Sequence, residues 1–304
     1  MIKGKRIWLN GKIIDWEEAK IHIISDTFSY GYGVYEGIRC YRTGKGRAIF
    51  RLREHIERLF NSARILFLNI PCSRNDLMAA VIESVKANDF EECYIRPLVY
   101  VPTYGESTWD FRKAVVDIAI AVWDWGIYFN EKALTNGIRV KTSSYTRHHI
   151  NVNMTKAKAN GNYMNFILAR GEALRAGFDE ALLLDVNGCV AEGPVENVFM
   201  IKRGELITPP LTHILEGITR DSILALAMDQ GIHCKEGYFT RDQLYTADEV
   251  FFCGTAAEVT PVCEIDHIAI GNGIPGEFTK KISNLFFDVV HGKVEKHLEW
   301  LSFI

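Results

Sequence analysis

The sequence predicts an α+β protein of two domains: a small N-terminal α/β domain over residues 1–126, a link over 127–137, and a larger C-terminal domain over 138–304 on a barrel-like, mainly antiparallel sheet. Three observations predict it. The 304 residues are more than a single small module needs. The first third reads as hairpins followed by amphipathic helices. The second half intersperses strand-like runs with short Asn-Gly and Arg-Gly turns, which favour antiparallel over parallel pairing.

In chain order, "RIWLNGKIIDW" turns at Asn10-Gly11 and "YEGIRCYRTGKGRAIF" turns between Thr43 and Gly46. From Arg53 to Ile65 the residues Ile56, Leu59, Phe60 and Ala63 share one helical face. A second helix starts at Ser73, with Asp76 completing a capping pair, and runs to about Asn88. The strands "CYIRPLVYV" and "AVVDIAIAVW" follow, and Pro97 in the first predicts an edge position or a bulge. Periodicity then fades from Ile127 to a turn at Asn136-Gly137, which places the link there. Beyond it lie the strands "IRVKTSSY", "EALLLDV", "VENVFMI", "EVFFCGT" and "VTPVCEI", with helices near 161–175, 219–230 and 275–291. Asn187-Gly188 and Arg203-Gly204 mark hairpins.

Composition narrows the function. The net charge is −3, with acids and bases mixed along the chain, so no basic stripe exists to neutralise nucleic-acid phosphates. The most apolar stretch is broken by Asp117 and too short for a bilayer, and a cytoplasmic, unexported protein is expected. The seven cysteines include no C-x-x-C pair and read as buried reduced thiols. No H-E-x-x-H, Walker sequence or Gly-x-Ser-x-Gly elbow is present, and no metal is expected.

Several constellations remain. Gly31, Gly33 and Gly37 miss the dinucleotide fingerprint by one position and precede a strand, so that reading is rejected. In "LEGITRDSILALA", Gly217 precedes Thr219 as the expected N-cap, and the amides of such a helix start suit a phosphate dianion. In "TKAKANGNYMNF", Lys156 and Lys158 stand among small and amide residues before a helix carrying Tyr163, Ile167 and Leu174 on one side. A lysine with a lowered pKa forms imines, but two lysines two apart in an extended segment face the same way, so either fits. In "CVAEGPVENVF", Glu192 and Glu196 flank a Gly-Pro pair, and a carboxylate is needed wherever a pyridine nitrogen must stay protonated. Arg58 lies nearly opposite the apolar stripe of its helix, where pairing with Glu54 is the default, yet Ser62 and Ile65 share its face. Tyr30, Tyr35, Tyr94, Trp125 and Tyr128 cluster near strand ends, with Arg96 on the same strand face as Tyr94; they suit an apolar pocket as well as plain packing.

Together these segments resemble the class IV (fold type IV) pyridoxal-5′-phosphate (PLP) aminotransferases, and within them the branched-chain amino acid aminotransferases. The blocks "YGYGVYEGIR", "FRLREHIERL", "YIRPL", "KANGNY", "LDVNG", "AEGPVENVF", "LITPP", "LEGITRDSI" and "CGTAAEVTPV" occur in the family's order from about Ile7 to beyond Thr279. The resemblance selects Lys158, five positions before the Gly-Asn-Tyr tyrosine, as the lysine that holds the cofactor. It implies that Tyr163 meets the phenolic oxygen and Glu192 the pyridine nitrogen. Arg58, Gly217, Ile218, Thr219, Gly254 and Thr255 would hold the phosphate region. Tyr30, Tyr35, Tyr94, Arg96, Trp125, Tyr128, Thr255 and Ala256 would line the substrate pocket, with Tyr30 reaching across from a second subunit of at least a homodimer. Pro194 departs from the pattern, which usually has a small residue there.

The activity so implied is transamination between leucine, isoleucine or valine and 2-oxoglutarate, with amino acids and 2-oxo acids as the partners. The nearest alternatives are a D-amino-acid aminotransferase or an aminodeoxychorismate-lyase-like enzyme of the same fold, and, from another class, a catalytically silent PLP-binding protein. "YIRPL" and "WDWGIY" favour the branched-chain group by resemblance.

Overall fold

The computed structural model describes residues 1–102, 110–126, 128–129 and 131–304. The chain divides into two compact units. The first is Met1–Gly126 with Ala157–Asn162 and Asp288–Ile304; the second is Ile127–Lys156 with Tyr163–Phe287.

In the first unit the hairpins form where turn chemistry places them. Strands β1 (Ile2–Leu9) and β2 (Lys12–Asp15) flank Asn10-Gly11, and β4 (Ile38–Thr43) and β5 (Gly46–Phe50) follow the short β3 (Gly33–Tyr35). With β6 (Cys93–Tyr100), β7 (Asp117–Asp124) and the last strand, Leu301–Phe303, they make one sheet in the order last strand, β5, β4, β6, β7, β1, β2. The side chains of β6 alternate: Cys93, Ile95 and Val99 join the core with the helices Leu52–Ile65 and Arg74–Lys86, and Tyr94 and Arg96 take the other face. Ser73 and Asp76 form the expected capping box.

Pro97 is neither at an edge nor at a bulge. β6 is an interior strand that pairs with β7 on one side and with both β3 and β4 on the other. The Pro97 carbonyl accepts from the Glu36 amide (2.9 Å), so the missing N–H of Pro97 falls where β3 passes into β4. The ladder opens for two residues, Glu36 and Gly37, and resumes in the same register.

The second unit contains β8 (Ile138–Thr142), β9 (Glu180–Leu184), β10 (Val190–Glu192), β11 (Asn197–Lys202), β12 (Glu205–Thr208), β13 (Cys234–Glu236), β14 (Glu249–Gly254), β15 (Glu258–Ile265) and β16 (Ile268–Ala269). Six of these close a ring, β8-β9-β10-β11-β14-β15, which is the barrel-like sheet expected. Most pairs are antiparallel, and β8 departs by running parallel to both neighbours. Alternate residues Val198, Met200, Val250, Phe252 and Val262 share one core cluster, and Phe199 stacks on Phe251 at 5.0 Å.

Three local expectations change. Residues 131–136 of the stretch read as a link form a helix, Glu131–Asn136, and residues 127 and 130 lie outside the described residues. The helix near 161–175 begins at Tyr163 and buries Phe166, Ala169 and Ala173, with Ile167 and Leu174 exposed. The helix expected to start at Thr219 runs Ile218–Asp229 with Gly217 as its N-cap.

The β10–β11 hairpin carries buried acids. Glu196 accepts from the Val195 amide (3.0 Å), and its other oxygen has no hydrogen-bond partner among the described residues. Burial, and then the charge of Glu180, push its pKa well above the usual carboxylate range. Glu180 is likewise raised by burial, to about 7, with Arg170 pulling the other way. Above the ordinary value of about 4.5, folded Glu196 keeps a proton that the unfolded chain has released, so its contribution lowers stability as pH rises towards the folded pKa. Glu196→Gln mimics the protonated acid and lacks this dependence. Its stability relative to the unmodified protein is expected to grow between pH 5 and 8, by at most about 1.4 kcal/mol per pH unit. Urea unfolding at several pH values measures this, and a flat difference would show Glu196 to be ionised when folded.

Candidate active site

In the first unit, Lys158 lies in a short segment laid along β3. Ala159 bridges Val34, the Tyr35 amide donates to the Lys158 carbonyl (3.1 Å), and the Lys158 amide donates to Ser62 Oγ (3.0 Å). Its neighbours Ala157 and Ala159 are buried, which lets the segment approach the sheet closely. The Lys158 amine stands 5.0 Å from the centre of the Tyr35 ring.

The extended run expected through Lys156 is absent, because Thr155 and Lys156 sit in a turn. Its amine donates to the carbonyls of Leu211 and Ile214 and lies 3.6 Å from Glu216. Burial lowers its pKa, with Glu216 and Glu192 opposing. The two lysines therefore have separate surroundings, one bound to backbone carbonyls and one beside an aromatic ring.

Glu54, the default partner of Arg58, pairs with Arg51 (2.5 Å). Arg58 turns to a tertiary partner: its Nε and Nη2 donate to the two oxygens of Glu36 (2.6 and 2.9 Å). His55 Nδ1 is 2.7 Å from Glu36 Oε2, and the Gly37 amide also donates there (3.2 Å). Glu36 is fully buried, yet Arg58 and His55 hold its carboxyl far below the usual range against the cost of burial. Burial pushes the His55 pKa down, with the charge of Glu36 opposing.

Arg96 is stacked among aromatic rings, its guanidinium carbon 4.5 Å from the Tyr35 centroid and 5.3 Å from those of Tyr94 and Trp123. Trp125 meets Tyr94 edge-on at 4.4 Å. Gly37 is required for this arrangement, because a Cβ there would lie 1.9 Å from the Tyr94 hydroxyl oxygen. Lys158, Tyr35, Tyr94, Arg96 and Trp125 are thus brought together, and Arg58 joins them through Glu36. Tyr30 stands apart, exposed at the end of the short helix Asp26–Tyr30.

In the second unit Glu192 ends β10, buried. Its carboxylate accepts from Arg147 Nε (2.6 Å), the Leu215 amide (3.2 Å) and Asn197 Nδ2 (3.4 Å). Asn197 is its strand partner and also donates to the Leu215 carbonyl (3.2 Å). Two residues on, Gly217 caps the helix Ile218–Asp229 with no side-chain bond to its first amides. A Cβ on Gly217 would fall 1.9 Å from Asn197 Oδ1, so only glycine lets this helix start pack against Asn197. Ile218 and Thr219 are buried there, leaving a helix start suited to an anion.

Gly254 ends β14, and Thr255 and Ala256 form the turn into β15. Tyr163 packs edge-on against Phe166 (5.2 Å), whose ring lies under the Arg147 guanidinium (4.6 Å), so Tyr163 is linked to Glu192 through Phe166 and Arg147. Tyr128 bonds to Arg170, which also pairs with Glu180 (3.5 Å). Sequence reasoning missed Glu36, His55, Arg147 and Asn197. Glu36, His55 and Asn197 stood inside quoted blocks, but Arg147, 45 positions before its partner, carried no local signal. No cluster of His, Cys, Asp or Glu able to hold a metal ion occurs among the described residues.

Residues 33–265 match the family Amino-transferase class IV. The branched-chain-amino-acid aminotransferase of Pseudomonas aeruginosa is 48% identical over 300 residues, covering 98% of this chain and 97% of that protein. The same-named protein of Escherichia coli K12 is 43% identical, covering 99% and 97%. Among solved structures, the Escherichia coli branched-chain amino acid aminotransferase superposes with a TM-score of 0.96 at 43% identity, covering 99% of each chain. The branched-chain amino acid aminotransferase of Thermobaculum terrenum, solved in its PLP-form, gives 0.92 at 34% identity, again covering 99% of each. With the family match spanning most of the chain and these relatives spanning nearly all of it, the chain belongs to the class IV aminotransferases.

Proposed function

We propose that this chain is a PLP-dependent aminotransferase that moves amino groups between branched-chain L-amino acids (leucine, isoleucine, valine) and 2-oxoglutarate, giving branched 2-oxo acids and L-glutamate. The observation that carries it is similarity over nearly the full length to proteins of that name, at 43–48% identity. The residues present fit the cofactor. The helix start at Gly217, where no side chain bonds the first amides and Ile218 and Thr219 are buried, suits its phosphate, and Glu192, buried and already oriented by Arg147, suits its ring nitrogen. Lys158 supplies an amine fixed through its backbone on both sides.

When bound, PLP would supply an aldehyde for amino groups and an electron-accepting ring next to the substrate α-carbon. Lys158 is the attachment point and the base that takes the α-proton. Glu192 keeps the ring nitrogen protonated, and Tyr163 donates towards the phenolic oxygen. Arg58, Gly217, Ile218, Thr219, Gly254 and Thr255 hold the phosphate region. Tyr35, Tyr94, Arg96, Trp125, Tyr128, Thr255 and Ala256 shape the substrate pocket, and Tyr30, exposed in one chain, is contributed to a second subunit of a homodimer. In this reading residues 1–126 form a small domain, 127–137 a link and 138–304 the large cofactor domain, except that 157–162 and 288–304 belong to the compact unit of the first, and the enzyme works in the cytoplasm.

Three measurements test it. Purified protein supplied with PLP and 2-oxoglutarate is expected to form glutamate from L-leucine, L-isoleucine and L-valine. Glutamate formed only from D-alanine would assign it to the D-amino-acid group, and bound cofactor without turnover would make it a silent binder. Borohydride reduction is expected to fix PLP covalently in Lys156→Ala but not in Lys158→Ala, and the opposite pattern would reverse the choice of lysine. Glu192→Gln is expected to lower kcat by roughly 100-fold with cofactor retention little changed; unchanged kcat would remove Glu192 from the ring-nitrogen role.

A further inference from the structure

Three residues of the helix Leu52–Ile65, namely His55, Arg58 and Ser62, lie at spacings of three and four and so share one face. That face is polar but closed: His55 and Ser62 are buried and the Arg58 side chain is 12% exposed. Ser62 bonds the Lys158 amide, and His55 and Arg58 bond Glu36, the residue after Tyr35, whose own amide bonds the Lys158 carbonyl. One helical face therefore ties the lysine backbone and the arginine to the same stretch of β3.

The Arg58–Glu36 pair has a definite shape. A guanidinium has a side edge of Nε and one Nη, and a terminal edge made of its two Nη groups. Glu36 occupies the side edge with both oxygens, which fixes the plane of the guanidinium and the direction of its terminal edge. His55 and the Gly37 amide keep the carboxylate from rotating. A buried ion pair is weak evidence for stability, since apolar residues of similar volume commonly serve a core as well. Its geometry is the more informative property.

We propose that Glu36, held by His55, is a positioning residue that aims the terminal edge of the Arg58 guanidinium at the phosphate of the cofactor. This rests on the reading of Arg58 as a phosphate-holding residue given above. The sign of the effect separates positioning from charge. Glu36 carries a negative charge close to Arg58, so if charge alone governed phosphate affinity, removing that charge would tighten PLP binding. If positioning governs it, the same removal weakens binding.

Apoprotein titrated with PLP and, separately, with pyridoxal reads the two effects by absorbance or fluorescence without turnover. Pyridoxal offers Lys158 the same aldehyde but has no phosphate. Glu36→Gln is expected to raise the Kd for PLP at least tenfold and to leave that for pyridoxal within twofold. Glu36→Asp, which keeps the charge but withdraws the carboxylate by one methylene, is expected to show the same selective loss. An unchanged or lower Kd for PLP in Glu36→Gln, an equal weakening of both ligands, or failure of both variants to fold would overturn the proposal. If the unmodified protein bound PLP no more tightly than pyridoxal, the phosphate-holding reading of Arg58 would fail first. If it discriminates strongly and both variants discriminate as well, the positioning role alone fails.

Discussion

The pairing of Ala159 with Val34 is the constraint on which the Lys158 environment depends. β3 has β6 on one side, and on the other it takes up the segment 157–162 through a bond from the Tyr35 amide to the Lys158 carbonyl, joined by one from the Gly161 amide to the Gly31 carbonyl just before the strand. Backbone groups buried beside a sheet must be paired, so a segment so held has little freedom to slide. A lysine side chain has four flexible carbons and is poorly placed by its own rotamers. Fixing its backbone on both sides, by Tyr35 and Ser62, confines the amine to what the side chain can sweep. The small neighbours Ala157 and Ala159 make this close approach possible.

Four buried glutamates differ in the cations that reach them. Glu36 has two oxygens on one arginine and a histidine besides, and its pKa falls. Glu192 is matched with the buried guanidinium of Arg147 and two further donors. Glu180 and Glu196 share the weaker reach of Arg170, at 3.5 Å from Glu180, and the charge of Glu180 raises Glu196 beyond what burial alone does. Burial opposes the charge of all three titrating acids, and it is overcome only at Glu36, where Arg58 and His55 bond the carboxyl. The hairpin 190–202 carries two buried acids four positions apart, Glu192 bonded to the Arg147 guanidinium and Glu196 to a backbone amide.

What could be read beforehand was the part of the fold encoded within a few residues. The Asn10-Gly11 and Arg203-Gly204 turns and the Ser73–Asp76 capping box are local chemistry, and each appears where it was expected. Pro97 misled because a proline in a strand usually avoids the interior, whereas here its missing donor coincides with an opening in the ladder. Gly217 was passed over as N-cap because Thr219 is the better capping residue; the packing of Asn197, distant in sequence, overrides that preference. Arg58 engages Glu36 for the same reason, since a buried tertiary partner that offers both oxygens outweighs an exposed pair along the helix. Contacts of this kind depend on register between strands and helices, and no window along the chain contains them.

The surroundings of Arg96 bear on how one pocket serves two kinds of side chain. Ring faces of Tyr35, Tyr94 and Trp123 surround the guanidinium within 4.5–5.3 Å of their centres and stabilise its charge without cancelling it. A carboxylate neutralises an arginine and occupies its donors. A π face leaves the positive charge in place and presents an apolar wall beside it. In the function proposed, such a wall suits a branched aliphatic group, and the charge set in it suits the distal carboxylate of glutamate. The contrast with Arg58, whose side edge is given over to Glu36, follows from the alternation of β6 and the opening beside Pro97: one face of the sheet presents rings to an arginine, and the interruption in its ladder presents an acid to another.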